Sequence, residues 1–362
     1  MPKEVYLDHH TITRPSPKVI EKLNFFFREK WGTAFAPHQK GQELYPEIDE
    51  ALKKLYTHLG ASDSHHFILT YGGQDAIFQL FMDFYFEEVQ ETGKNHFLTL
   101  SNEEALILLS LSRLDELGCV TKLLPVDENG RILLDALDEA LKPKTALFSF
   151  SWANPLTGVI QPVEEIVSRC HAKGVAVHVN ASAVMGKIPF LFADSKIDFL
   201  TFDGDKIHMP QGIGGRLQKK KPKHSSHNIA ALSALALAVE ESALRQEQFS
   251  LEAARLRDTF ESELKLALPS AEILFQNVER LPHISCIAFP GVMSEALLFA
   301  LHRRGVYASL GGGQYQKLSS QLKNPCALSF AISHETTEDE LAHALDVIVS
   351  SVRKLSTLSQ SL

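Results

Sequence analysis

From about residue 66 the chain alternates short runs of β-branched and apolar residues with longer runs of helical period, the pattern of a parallel sheet covered by helices. HFILTYG (66 to 72) leads into a helical run through about 90, and HFLTL (96 to 100) into a second through 117. TKLLPV (121 to 126) precedes LDALDEAL. TALFSFSW (145 to 152) leads to VEEIVSRCHAKG, and VAVHVN (175 to 180) follows. DFLTF (198 to 202) and GIGGRLQ (212 to 218) read as two further strands. Two helical runs, HNIAALSALALAVEES and LEAARLRDTFESELKLAL, then lead to a smaller alternating set: HISCIAFP, a helix near 293 to 304, VYASL, CALSFAI and a C-terminal helix after the acidic TTEDEL. The pattern predicts an α/β protein with a large domain over 15–245. A smaller α+β domain is expected from 1–14 together with 246–362.

In an open α/β sheet, ligands bind beyond the carboxyl ends of the strands. Tyr71 to Gln74, Asn154, Asn180 and Lys206 fall at those ends. YGGQDA places two glycines before a helix, where backbone amides can meet an anion. Lys206 stands in the turn TFDGDKIHM between two strands, flanked by Asp203 and Asp205. Most lysines are solvated surface charges, and this turn can equally be polar punctuation.

Composition narrows the classes. At 362 residues, 44% hydrophobic and 22% charged, the chain reads as an ordinary folded protein. A net charge of −8 gives no general attraction to nucleic acid, and the one basic run, QKKKPKH, is short. No apolar stretch reaches the ~20 residues that span a bilayer, so we expect neither nucleic acid nor membrane as a partner, and a cytoplasmic location. Cys119, Cys170, Cys286 and Cys326 are dispersed and form no CxxC pair, which reads as reduced structural thiols. The sixteen histidines show no repeated ligand spacing, so no metal is expected. A weaker reading groups Asp203, Asp205, Glu104 and His178 as a carboxylate site for a hard cation or for acid–base work.

The segments YLDHHTITRPSPKVIEKL, FILTYGGQDA, TGVIQPVEEI, VHVNASAVMGKIPF, TFDGDKIHMPQGIGG and SFAISHETTEDEL together resemble the class V aminotransferase superfamily, most closely the cysteine desulfurases. The resemblance implies a fold-type I pyridoxal phosphate transferase fold with a mainly parallel, seven-stranded sheet. It also implies a homodimer with sites near the subunit interface. Lys206 would form the internal aldimine, with the cofactor acting as electron sink. Gly73, Gln74, Asn180, Ala183, Asp203 and Asp205 occupy the family's cofactor-binding positions.

Several of those positions depart from the family pattern. Asn180 replaces the aspartate that pairs with the pyridinium nitrogen, and Ala183 replaces a glutamine facing the phenolic oxygen. Glu104 stands where a histidine stacks on the ring. Asp203 and Asp205 replace a serine and a histidine near the phosphate. Gln314 stands at the persulfide-forming cysteine and Ser329 at the substrate-carboxylate arginine. The partner-subunit phosphate loop is shortened to KKKPKHSSHN, with Arg216 or the nearby lysines as possible substitutes. Two readings follow. The chain is either an enzyme acting on a small amino acid through Lys206, with sulfur transfer lost along with its cysteine, or a non-catalytic binding or regulatory subunit, with a protein partner, that keeps the dimeric fold.

Overall fold

The computed structural model describes residues 4–222, 228–322 and 324–360. A seven-stranded sheet forms the larger part. Its strands are β2 (His66–Thr70), β3 (His96–Leu100), β4 (Val120–Leu124), β5 (Thr145–Ser151), β6 (Ala176–Asn180), β7 (Phe199–Asp203) and β8 (Gly214–Gln218), after a short β1 (Val5–Tyr6) near the N-terminus. Their spatial order is β2-β8-β7-β6-β5-β3-β4. The five strands from β7 to β4 are parallel, and β8 runs antiparallel to both neighbours. Near-continuous apolar strands such as β3 and β5 are buried along their whole length, as expected for a parallel sheet covered on both faces.

The two helical runs of the sequence join into one helix, Ile229–Ala267, because the intervening ALRQEQFS holds neither glycine nor proline. Asn228 caps its start by accepting from the Ala231 amide. The first half of this helix packs Leu232, Leu235 and Val239 into the core of the large sheet. Its second half contributes Leu256, Phe260 and Leu264 to a separate core. That second core surrounds β9 (Glu272–Ile273), β10 (Ile284–Ala288) and β12 (Ala327–Ala331), which form a three-stranded sheet, and β11 (Val306–Tyr307), which pairs in parallel with β1. The first strand therefore belongs to the C-terminal core, where Val5 and Leu7 are buried.

The helix carries its own buried charge into this second core. Glu261 accepts from Arg280 Nη1 at 2.7 Å and Nη2 at 2.8 Å, and from Ser285 Oγ at 2.7 Å. Both ionic partners are almost excluded from solvent. Such a pair adds little net stability while intact, yet removing one member strands the other charge in a dry site. Glu261→Ala is expected to destabilise the protein by about 3–5 kcal/mol in denaturant unfolding, and a loss below about 1 kcal/mol would show that Arg280 finds water instead.

Candidate active site

Because β5, β6 and β7 are parallel and adjacent, their last residues arrive at one edge in register: Ser151 sits opposite Asn180, and Asn180 opposite Thr201. The loop after β3 brings Glu103 and Glu104 to the same edge. The turn after β7 brings Asp203, Asp205 and Lys206. Lys206 ends a short 3₁₀ turn, Gly204–Lys206, and is buried. Gly204 is required there, since a Cβ would lie 2.5 Å from the Ile213 carbonyl oxygen.

Most polar side chains at this edge are engaged by another part of the chain. Lys206 Nζ donates to the Thr11 carbonyl and pairs with Asp205 Oδ1 at 2.8 Å. Asn180 donates from Nδ2 to Glu104 Oε1 at 3.0 Å, and its Oδ1 accepts from the Ser182 amide and hydroxyl. Ser151 donates to Glu103 and, at 3.1 Å, to Glu104. Tyr315, next to Gln314, is buried with its ring centroid 5.9 Å from the Lys206 ammonium, and its hydroxyl donates to the His10 carbonyl. Gln316 Nε2 holds the Glu103 carbonyl at 2.8 Å, and the Gln314 carbonyl accepts from the Ala105 amide. The segment after β11 is thereby fastened across the edge.

Asp203 has a particular position. Its carboxylate lies close against the backbone at the N-terminus of the helix Gly73–Phe84. A Cβ on Gly73 would lie 3.1 Å from Asp203 Oδ2. Gly72, at φ +96°, turns the chain into that helix in a conformation that suits glycine. The other Asp203 oxygen, Oδ1, has no hydrogen-bond partner among the described residues. Burial, with Asp205 alongside, raises the Asp203 pKa.

Electrostatically the edge is rich in acids. Burial and then the charge of Glu103 push Glu104 up to about 8, and burial raises Glu103 as well. Asp8, near Lys206, is pushed up to about 6, chiefly by burial. Tyr315 is held well above its usual range by burial and by Glu104.

A pyridoxal phosphate group does not fit these residues. The helix terminus that would take its phosphate already holds a carboxylate, and Asp205 stands beside it. A second anion at about 4 Å costs ~1 kcal/mol in water and several-fold more where water is scarce. Asn180 is committed to Glu104 and Ser182, and Glu104 offers no stacking face. Of the expected cofactor positions, Gly73, Asn180, Asp203 and Asp205 do come together at this edge, while Gln74 is exposed and Ala183 packs beside the core as a methyl group with no hydrogen bond to give.

Other sequence candidates fall elsewhere. His178 lies inside the sheet, bonded to Ser149 at 2.7 Å and Thr201 at 2.9 Å, and burial lowers it to about 3; it does not join the carboxylates. Arg216 turns onto the helix face to bond Asp83 at 2.6 Å. Within KKKPKHSSHN, residues 223–227 lie outside the described residues. Ser329 on β12 donates to the Leu156 carbonyl. Burial pushes the Cys170 and Cys286 thiols up to about 12, which suits inert packing. Sequence reasoning missed Tyr315, Glu103 and Lys187. Tyr315 was within reach through its adjacency to Gln314. The other two carried no local signal, because their role depends on Ser151 and on the Lys206 carbonyl, both distant in the chain.

A family model described as aminotransferase class-V matches residues 5–223. The chain belongs to that family. It is similar to the cysteine desulfurase of Gluconacetobacter diazotrophicus, 28% identical over 98% of this chain and 95% of that one. It is also similar to that of Nostoc sp., 27% identical over 98% and 94%. Among solved structures, a NifS-like protein superposes with a TM-score of 0.87 at 25% identity, covering 98% of this chain and 100% of that chain. The apo cysteine desulfurase of Thermococcus onnurineus gives 0.85 at 16% identity over 97% and 95%, which speaks for the fold alone. The chain is thus cysteine desulfurase-like, with the fold-type I architecture expected of it.

The raised Glu104 has a consequence for stability. A carboxyl group whose folded pKa exceeds its unfolded value binds more protons when folded, so its contribution is complete below about 4.5 and is lost as pH rises toward about 8. Glu104→Gln keeps the bonds from Asn180 and Ser151 and cannot ionise. Relative to wild type it is expected to be near neutral at pH 5 and more stable at pH 8.5 by a few kcal/mol at most, read from denaturant midpoints at both pH values. An equal effect at both would remove the assignment.

Proposed function

We propose that this cysteine desulfurase-like chain works without desulfurase chemistry, as a non-catalytic dimeric subunit whose role is to bind a protein partner. The observation that carries the reading is the Asp203 carboxylate packed against Gly73 at the start of its helix, with Lys206 tied to Asp205 and to the Thr11 carbonyl. A site ready for a phosphate-bearing cofactor needs free donors at that helix end. Here an acidic side chain already stands against that helix end. The absence of a cysteine at Gln314 and of an arginine at Ser329 agrees with this reading.

The homodimer is supported by apolar side chains exposed beside the Gly73 helix. Phe27, Tyr71 and Phe78 are 64%, 76% and 46% exposed, a density of apolar surface that points to an interface. Four unbridged cysteines support a reducing, cytoplasmic setting.

A second reading has one specific observation in its favour. Lys206 keeps its place in the turn after β7, where the family resemblance puts the lysine that carries pyridoxal phosphate and acts on an amino acid.

The two readings separate in one experiment. The protein is purified with pyridoxal phosphate present, desalted, and its visible absorbance recorded for wild type, Lys206→Ala and Asp203→Ser. Wild type and Lys206→Ala are expected to be equally colourless, folded and dimeric. Retention of a yellow chromophore by wild type, lost in Lys206→Ala, would sink the non-catalytic reading. A chromophore gained only by Asp203→Ser would support it, by naming the carboxylate as what keeps the cofactor out.

A further inference from the structure

Behind the Lys206 backbone lies a second crevice, on the opposite side from the carboxylates. It opens between the N-terminal segment, the turn after β6, the middle of the Ile229–Ala267 helix and the residues that follow β12. His9, Lys187, His208, Glu241, Arg245 and His334 supply its titratable lining. Its floor is set by a close approach: Gly186, at φ +65°, lies so near the helix that a Cβ would sit 2.7 Å from Ser242 Cβ.

The charges here are of the other sign. Lys187 is buried, donating to the Lys206 carbonyl at 3.0 Å and the Met185 carbonyl at 3.2 Å, and no carboxylate pairs with it among the described residues. Arg245 donates to His334 Nε2 at 2.9 Å and reaches Glu241 at 3.2 Å. Glu241, the one acidic residue in the lining, is also held by Ser16 at 2.9 Å and by Lys18 at 3.4 Å. Its charge is therefore already shared with one cation outside the crevice, Lys18. His9 is only 9% exposed, and its Nδ1 has no hydrogen-bond partner among the described residues. His208 donates from Nδ1 to the Arg14 carbonyl.

A buried lysine with no paired carboxylate among the described residues, an arginine that shares its one carboxylate with Lys18, a buried ring nitrogen without a hydrogen-bond partner among those residues and a partly enclosed space are what an anion site offers before its ligand arrives. We propose that this crevice binds a small oxyanion, a phosphate or carboxylate group, with Arg245 and Lys187 as its charge partners and His9 as a hydrogen-bonding group. The depressed basicity of the lining agrees. Burial first, and neighbouring positive charge second, bring Lys187 down to about 8, His9 to about 4 and His208 to about 3. A bound anion is the group that would relieve them. The site does not depend on cofactor chemistry, and it shares no side chain with the Lys206 edge.

Calorimetric titration of the full chain with inorganic phosphate, and separately with acetate, tests the assignment. One saturable site is expected for at least one of the two, the tighter anion naming the headgroup. Its affinity is expected to fall about tenfold or more in Arg245→Gln, which removes a charge-assisted bond, and to fall in His9→Gln. Arg245 is half-buried at the rim, so its variant should fold, and thermal unfolding without anion checks that. No saturable binding of either anion in the wild-type protein would overturn the proposal. So would binding that Arg245→Gln leaves untouched.

Discussion

Strand β8 runs against both of its neighbours, and the site depends on how tightly that strand fits. A Cβ at Gly214 would lie 2.7 Å from the Gly72 carbonyl carbon and 2.7 Å from the Phe202 oxygen. One at Gly215 would strike the Phe67 ring at 2.4 Å. Only glycine lets β8 slide between β2 and β7, and that insertion presses the β7 turn against the start of the Gly73–Phe84 helix. The meeting of Asp203 with Gly73 follows from this backbone approach. The side chain at 203 therefore decides what the helix end holds, because the distance is already fixed.

A helix N-terminus carries roughly half a positive charge and unsatisfied amides. It stabilises whichever anion reaches it first, and an anion tethered by the chain needs no concentration to do so. A carboxylate at 203 thus competes with any diffusible phosphate at the high effective concentration of an intramolecular group. Its burial still has a cost, visible in the unpartnered Asp203 Oδ1 and the raised pKa. The neighbouring acids show the same compromise. Glu104 is accommodated by staying protonated up to about 8 and by accepting from Asn180 and Ser151.

The sheet was legible in the sequence because buried parallel strands are continuous apolar runs, and those of β3, β5 and β6 need no partner to be recognised. Strand ends were legible as well, which is why Asn180, Asp203 and Lys206 could be placed on one edge. The single long helix was less so. Its middle, ALRQEQFS, loses the apolar stripe where it passes from one core to the other, and periodicity cannot bridge a stretch that packs against neither. The bonding at the edge was beyond reach for another reason. Whether Asp203 faces a ligand or the backbone of a helix start depends on the Gly72–Gly73 turn, and whether Glu104 is ionised depends on Glu103, Ser151 and Asn180 together. Those are properties of contacts across some 50 to 130 residues of chain.

The two faces of the Lys206 turn divide the charge between them. Acids collect on the side where the family resemblance places a phosphate, and bases collect behind it, with Lys187 holding the Lys206 carbonyl as the link. In a low-dielectric interior, buried carboxylates and buried amines near one another each limit how far the other can be neutralised. Lys187 has no paired carboxylate among the described residues: Glu241, the acid in its crevice, bonds to Arg245, Ser16 and Lys18, while Asp205 and Glu104 pair with Lys206 and Asn180. Internal satisfaction of one face leaves donors unmatched on the other, and that imbalance locates where a ligand can still be recognised.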